Sequence, residues 1–345
     1  MIYILLAPVV FALMVIIIGA IISAPVYRGP VSDHFDGKKF NNPGNIQPRG
    51  LKGVIQWMRH RERGLWIKTS DAKQHKPAEK FTSGTRVTFI NHSSFLIQTS
   101  GVNILTDPVF SERVSPFSFA GPKRMRPTGI AFADLPKIDL VLLSHNHYDH
   151  LDKSTVVALK KNYDPLFIVP LGVGPYLTQI GISKWQTLDW WQSTAAADIS
   201  ITAVPAQHFS GRGFLDRDKT LWCGYVFKSR SHTFYFAGDT GYNPVTFSEI
   251  GARIQSIDIA IIPIGAYKPQ WFMSPVHCSP EEAVKIHRDV KASHSIASHF
   301  GTFPLGDEGQ QDAQEDLQVA LKAQHIPLHQ FIKLDEGSFK DYPSV

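Results

Sequence analysis

Leu140-Val141-Leu142-Leu143 is an apolar run that ends in Ser144-His145-Asn146-His147-Tyr148-Asp149-His150. Nothing else in the 345 residues constrains the fold as tightly, because one buried strand must deliver four metal-ligand side chains in six residues. In an extended segment residues two apart point the same way, so His145 and His147 can grip one ion. Asp149 and His150, just past the turn, can face a second. Other strand-like runs end alike: Ile201–Pro205 leads into Ala206-Gln207-His208, Phe234–Ala237 into Gly238-Asp239-Thr240, and Ile296-Ala297-Ser298 into His299. Each carries an imidazole or carboxylate beyond a hydrophobic strand, where loops collect into a site. With 15 His and only two Cys, Cys223 and Cys278, histidine and carboxylate are the ligands on offer. The sum, five His and two Asp, suits two zinc ions that share one carboxylate, with Asp239 the natural bridge.

The rest of the chain from Thr85 alternates β-branched runs with turns. Arg86–Ile90, Phe95–Thr99 and Val102–Thr106 read as consecutive strands with a hairpin turn at Ser100-Gly101. Asp139–Ser144, Phe167–Pro170, Ile199–Val204, Gly224–Lys228, Thr233–Ala237, Asp258–Ile264 and Ser295–Ser298 continue the series. A helix starts at Ser279, with Pro280 at its first position and Glu282 closing a Ser-x-x-Glu capping box. Many strands with interleaved helices predict an α/β (α+β) fold of layered sheets covered by helices on their outer faces. At 43% hydrophobic and 19% charged, the composition excludes intrinsic disorder. Two cysteines exclude a disulfide framework. A net charge of +5 from scattered basic residues excludes a nucleic-acid partner.

The N-terminus is different in kind. From Ile2 to Tyr27 there is no charged residue, and a bilayer core takes roughly 20 apolar residues as a helix. No Lys or Arg follows Met1, as an export signal would require, so residues 1–27 read as an uncleaved single-pass transmembrane anchor. Arg28, Lys38 and Lys39 just beyond it argue for a cytoplasmic catalytic domain. Residues 28–80 read as a basic, Gly/Pro/Asn-rich linker or arm, with Asn42-Pro43-Gly44-Asn45 in it and one helix around Lys52–Glu62. Residues 81–345 read as the main, strand-rich domain.

The order His-x-His-x-Asp-His, a single His, Gly-Asp-Thr and a final His resembles the metallo-β-lactamase superfamily. Thr106–Phe110, Gly121-Pro122-Lys123-Arg124, Ser144–Asp152, Pro205–His208, Phe236–Asn243, Pro263–Phe272 and Gly301-Thr302-Phe303 are similar to N-acylphosphatidylethanolamine-hydrolysing phospholipase D and its bacterial relatives. The resemblance runs from about Thr85 to near the C-terminus. It implies a four-layer αββα sandwich with a di-zinc site at one edge of the sheets. It assigns His145, His147 and His208 to the first zinc, Asp149, His150 and His299 to the second, and Asp239 to both. The stretch Asn91-His92-Ser93-Ser94 stands where that family carries Gly-His-Ala-Thr, and Val276 where the animal enzyme has Gln.

The expected chemistry is phosphodiester hydrolysis of a phospholipid by a hydroxide held between two zinc ions. Asp149 is a ligand that can also orient the nucleophile. His277 lies outside the ligand set, in the loop before the capped helix, where the resemblance puts a residue beside the substrate. It can hydrogen-bond the phosphate or protonate a leaving oxygen. Tyr148 is a substrate contact by the same resemblance, and Asp107 an acceptor that holds a ligand imidazole. His287 reads as a helix-surface residue and Cys278 as structural. A lactone, nucleotide-phosphodiester or β-lactam hydrolase shares this ligand set, although the β-lactam branch carries Cys where Asp239 stands. A non-enzymatic membrane scaffold is disfavoured because no ligand is lost. A homodimer is left open.

Overall fold

The computed structural model describes residues 17–70 and 74–344. Its strands are β1 (Thr85–Asn91), β2 (Ser94–Thr99), β3 (Val102–Thr106), β4 (Leu140–Leu142), β5 (Leu166–Pro170), β6 (Trp185–Leu188) and β7 (Ser193–Ala196). They continue as β8 (Ile199–Val204), β9 (Gly224–Lys228), β10 (Thr233–Phe236), β11 (Ile257–Pro263), β12 (Ala292–Ser298), β13 (Phe331–Ile332) and β14 (Phe339–Tyr342). Two seven-stranded sheets result, in the orders β14-β1-β2-β3-β4-β5-β6 and β13-β12-β11-β10-β9-β8-β7.

Side-chain alternation explains the layers. In the first sheet Val87, Phe89, Phe95, Ile97, Ile104, Leu140 and Leu142 join the large core shared with the second sheet. Their neighbours Ile90, Leu96, Leu105, Val141 and Leu143 join a separate cluster on the opposite face. A period of two sends successive residues to opposite faces, so a strand apolar at every position is a strand covered on both sides. Val156 and Leu159 of the helix Lys153–Tyr163, and Leu177 of Gly174–Gln179, cover the first sheet. Phe247, Ile250, Val284, Ile286, Leu317 and Leu321 bring the helices Pro244–Ile254, Pro280–Asp289 and Asp312–Ala323 onto the second. The hairpin between β2 and β3 turns through positive φ at both Ser100 and Gly101, the geometry that matches strand twist. The helix from Pro280 carries the capping box of Ser279 and Glu282.

Strand direction decides where the site lies. β10, β11 and β12 are mutually parallel, while β9 is antiparallel to both β8 and β10. The C-terminal ends of β8, β10, β11 and β12 therefore share one edge. β4 of the other sheet ends beside them: Ser144 accepts a backbone hydrogen bond from Cys223 at 3.0 Å. Gly238 makes that approach feasible, since at φ 61° a Cβ there would stand 2.6 Å from the Ser144 Cβ.

The N-terminal reading needs correction. Among the described residues no helix is long and apolar enough to cross a membrane. The helical stretch over residues 17–22 stops before Pro25. Beyond it the chain leaves helical geometry to dock on the domain. Ala24, buried, donates its N–H to Asp216 Oδ2 at 2.9 Å, and the Tyr27 N–H reaches the Lys219 carbonyl at 2.9 Å. The expected transmembrane anchor over residues 1–27, its single-pass placement and the cytoplasmic assignment drawn from Arg28, Lys38 and Lys39 are accordingly not upheld. Residues 1–16 lie outside the described part.

The arm is likewise seated on the sandwich. Phe35 and Phe40 share a buried cluster with Ala206, Leu221 and Trp222. The helix expected around Lys52–Glu62 is found at Leu51–Arg59, where Trp57 stacks on Phe272. His34 stacks on Trp190, with Nε2 2.7 Å from Asp189 Oδ1 and Nδ1 2.5 Å from Asp33 Oδ1. Burial alone would lower the His34 pKa, but the two carboxylates outweigh it and raise it above the ordinary value. A raised folded-state pKa stabilises below the unfolded value, about 6.5, and that gain is lost as pH climbs through the folded value. His34→Ala is therefore expected to lower the thermal midpoint more at about pH 6 than at about pH 9. An equal loss at both would show that the imidazolium does not tie the arm down.

Candidate metal centre

The shared sheet edge gathers the imidazoles. His145 and His147 leave the end of β4, His208 follows β8, Asp239 follows β10, and His299 follows β12 directly. His145 Nε2, His147 Nδ1 and His208 Nε2 converge, with 2.8 Å between the first two and 3.3 Å from His147 to His208. Their ligand atoms form one group that could hold a metal ion. Asp149, His150, His299 and His92 form a second. In that group Asp149 Oδ2 lies 3.4 Å from the Nε2 atoms of both His150 and His299. Asp239 stands between the groups: its Oδ2 is 3.1 Å from His150 Nε2, 3.1 Å from His299 Nε2 and 3.8 Å from His208 Nε2.

The far side of each ring supports a cation in the middle. His150 Nδ1 donates to Asp107 Oδ2 at 2.6 Å, His208 Nδ1 donates to the Val276 carbonyl at 2.8 Å, and His145 Nδ1 meets Ser144 Oγ at 2.8 Å. A proton held on Nδ1 leaves Nε2 with its lone pair aimed inward, as metal-binding histidines require. His150 Nε2, Asp239 Oδ1 and both ring nitrogens of His299 are buried without a hydrogen-bond partner among the described residues. Orphaned polar atoms at this density would be expensive unless a cation satisfied them. An all imidazole-and-carboxylate donor set fits a zinc-class divalent ion.

Asp107 anchors the arrangement. Its carboxylate is buried and accepts from the Ser144 N–H at 2.7 Å and from Ser144 Oγ at 2.6 Å, in addition to His150. Asp107, His92 and His299 hold φ at 33°, 49° and 60°, so three residues of the site carry left-handed backbone strain.

The remaining expected residues fall in two places. His277 faces the centre, its Nδ1 3.9 Å from Asp239 Oδ2 and its ring 5.1 Å from that of His208, and with those two it forms a further group that could hold a metal ion. Burial outweighs the pull of Asp239 and holds its pKa down at about 4, so the ring is neutral at pH 7. Tyr148 is apart from the convergent nitrogens. It walls a groove of about 570 Å³ with Arg212, whose guanidinium lies 3.9 Å over the Tyr148 ring, and with Tyr176, Ile21, Phe117 and Ile180. His92 was missed by the sequence reading, yet it too follows a hydrophobic strand, and its Nε2 lies 3.0 Å from Asp149 Oδ2. His287 is no surface residue: it is buried, with Nδ1 2.8 Å from Ser295 Oγ. Cys278 is buried, its thiol donating to the Pro263 carbonyl.

A beta-lactamase superfamily domain model matches residues 102–300, the stretch that carries all the convergent groups except His92. The chain belongs to the metallo-β-lactamase superfamily. Two kinds of relative bear on it. It is 42% identical over 245 residues to an uncharacterized protein of Mycobacterium tuberculosis, covering 70% of this chain and 65% of that one. It is 41% identical over 235 residues to N-acyl-phosphatidylethanolamine-hydrolyzing phospholipase D 1 of Caenorhabditis elegans, covering 65% and 66%. The chain thus spans just under two thirds of the length of either relative. Among solved folds, an isothiocyanate hydrolase from Delia radicum gut bacteria superimposes with a TM-score of 0.60 at 20% identity, over 75% of this chain and 100% of that one.

Asp107→Ala would leave His150 Nδ1 and both Ser144 donors unpaired in a dry interior. It is expected to lower stability by about 3 kcal/mol in urea denaturation, as loss of one partner from a buried charged pair does. Wild-type stability in that variant would deny Asp107 its anchoring role.

Proposed function

We propose that the protein is a zinc-dependent phosphodiesterase of the phospholipase D type, acting on N-acylphosphatidylethanolamine-like phospholipids. The observation that carries this reading is the pair of converging ligand groups with Asp239 between them, in a chain 41% identical to a phospholipase D of that specificity. On this reading His145, His147 and His208 hold one zinc, Asp149, His150 and His299 the other, and Asp239 both. Bound there, two such ions supply Lewis-acid neutralisation of phosphoryl charge and lower the pKa of water.

The side chains then have separate tasks. The groove beside Tyr148 is where this reading seats the lipid: Arg212, Arg113 and Lys153 line it together with Glu112 and Asp152, near the apolar side chains Ile21, Phe117 and Ile180. Its cations can attract a phosphate and its apolar side chains can accept acyl chain. Neutral His277 can hydrogen-bond a phosphoryl oxygen or the departing oxygen through a ring N–H. With its pKa held at about 4 it acts as a hydrogen-bond donor rather than as the acid, the leaving oxygen taking its proton from the attacking water. His92, held by Asp149, keeps that carboxylate oriented. The overall change is balanced: a water oxygen joins phosphorus, the bond from phosphorus to the N-acylethanolamine oxygen breaks, and that oxygen leaves protonated.

The substrate test is hydrolysis of bis(p-nitrophenyl) phosphate and then of N-acylphosphatidylethanolamine in oxygen-18 water. Label in phosphatidate, with N-acylethanolamine released, is the expected result. Turnover of lactones or β-lactams without phosphodiesters would move the chain to another branch of the superfamily.

Metal analysis is expected to find close to two zinc ions per chain, and Asp239→Ala should empty both sites together. One ion in the wild type, unaffected by the substitution, would end the shared-carboxylate assignment.

His277→Ala is expected to lower kcat by about 100-fold, the scale of a lost hydrogen-bond donor to transition-state charge, with zinc content unchanged. Lost zinc would make His277 a ligand instead.

A further inference from the structure

Asn42-Pro43-Gly44-Asn45, a polar stretch of the arm, reaches the centre from outside the strand ends that build it. Asn42 is buried, at 6% exposure. Its Nδ2 donates to the His208 carbonyl at 2.8 Å and to the Ile46 carbonyl at 2.9 Å. Its Oδ1 accepts from the His208 backbone N–H at 2.8 Å and from Trp222 Nε1 at 3.0 Å. Two donors and two acceptor positions are the whole capacity of a carboxamide, and all are in use. Aspartate could not donate, an aliphatic residue could do neither, and glutamine is one methylene too long.

The purchase on His208 matters because β8 ends at Val204, four residues earlier. Among the described residues no strand neighbour takes up the His208 backbone. Asn42 does so instead, gripping both its N–H and its C=O much as a ladder partner would. The next residue extends the tie. The Pro43 carbonyl accepts from Asn243 Nδ2 at 3.3 Å, and the same nitrogen reaches Gln207 Oε1 at 3.2 Å. Gln207 Nε2 donates to the Pro275 carbonyl at 3.0 Å, two residues before His277. The arm and the loops after β8, β10 and β11 thus close into one hydrogen-bonded ring around His208.

We propose that Asn42 is a positioning residue, holding the His208 backbone so that its imidazole is fixed for the cation. The arm on this view is part of the metal centre, and the inference rests on His208 being a ligand. Positioning groups of this kind set metal affinity by about 10–100-fold when removed.

The test uses the full chain. Asn42→Ala is expected to weaken zinc binding, measured by competition with a chromophoric chelator, by about 10–100-fold. It should change the visible absorption of the cobalt-substituted protein and lower kcat on bis(p-nitrophenyl) phosphate more than it alters KM. Asn42→Asp keeps the two acceptor contacts and loses the two donor ones, so its zinc affinity and cobalt spectrum should fall between. It also serves if the alanine variant does not fold. Phe40→Leu is the control for docking alone, since Phe40 seats the arm against Trp222 without touching His208. It should lower the thermal midpoint and leave zinc affinity and the cobalt spectrum as in wild type. Equal zinc affinity in Asn42→Asp and Phe40→Leu, at matched thermal midpoints, would reduce Asn42 to an anchor of the arm and overturn the proposal. His208→Ala separates the two readings: full zinc content in that variant would remove the ligand assignment on which the positioning role stands.

Discussion

A buried carboxylate, Asp107, holds the site and the sandwich in register. It closes a knot with the Ser144 N–H, Ser144 Oγ and His150 Nδ1 at 2.6–2.7 Å. The end of β3 thereby fixes the second residue after β4 and, through His150, the far end of the loop that carries the candidate ligands. Ser144 in turn accepts the Cys223 N–H, which joins the first sheet to the second. One interaction therefore sets the distance between sheets and the direction of a ring nitrogen. Burial pushes the Asp107 carboxyl up, while His150 and Ser144 draw it back toward the charged form.

The centre itself works against folding. Imidazoles packed this closely repel one another when charged, and burial lowers His145, His147 and His208 well away from the usual histidine range. Asp239 and Asp149 do the reverse for His299, offsetting its burial and holding it at about 9. Left-handed backbone at Asp107, His92 and His299 adds strain. The compensation comes from elsewhere: two sheets with apolar cores on both faces, and helices capped by Ser279, Asp152 and Asn243. A rigid frame of that kind lets irregular loops keep a geometry they would not hold alone.

Central strands were legible in the sequence because β-branched, aliphatic and aromatic residues dominate them, and the candidate ligands because each stands just beyond such a strand. Edge strands were not. β6 and β7 are short and alternate exposed with half-buried positions, so Trp185–Leu188 and Ser193–Ala196 carry little apolar signal. β14 was missed for the same reason, three of its four residues being exposed. The N-terminal stretch erred in the opposite direction. Hydropathy counts apolar side chains without showing that residues 23–27 leave helical geometry and dock on the domain. His287 was misplaced because the helical pattern around it does not reveal that Ser295 waits on the neighbouring strand.

By itself the sequence determined the superfamily and the layered α/β class and offered a set of candidate ligands, since each rests on residue type at short spacing along the chain. Tertiary structure decided which of those groups meet. His92 joins Asp149 across 57 intervening steps of chain, and Asn42 reaches His208 across 166. No local period encodes such pairs. They follow from strand direction, because parallel β10, β11 and β12 bring distant loops to one edge, and from hydrogen bonds that form only once both sheets are packed.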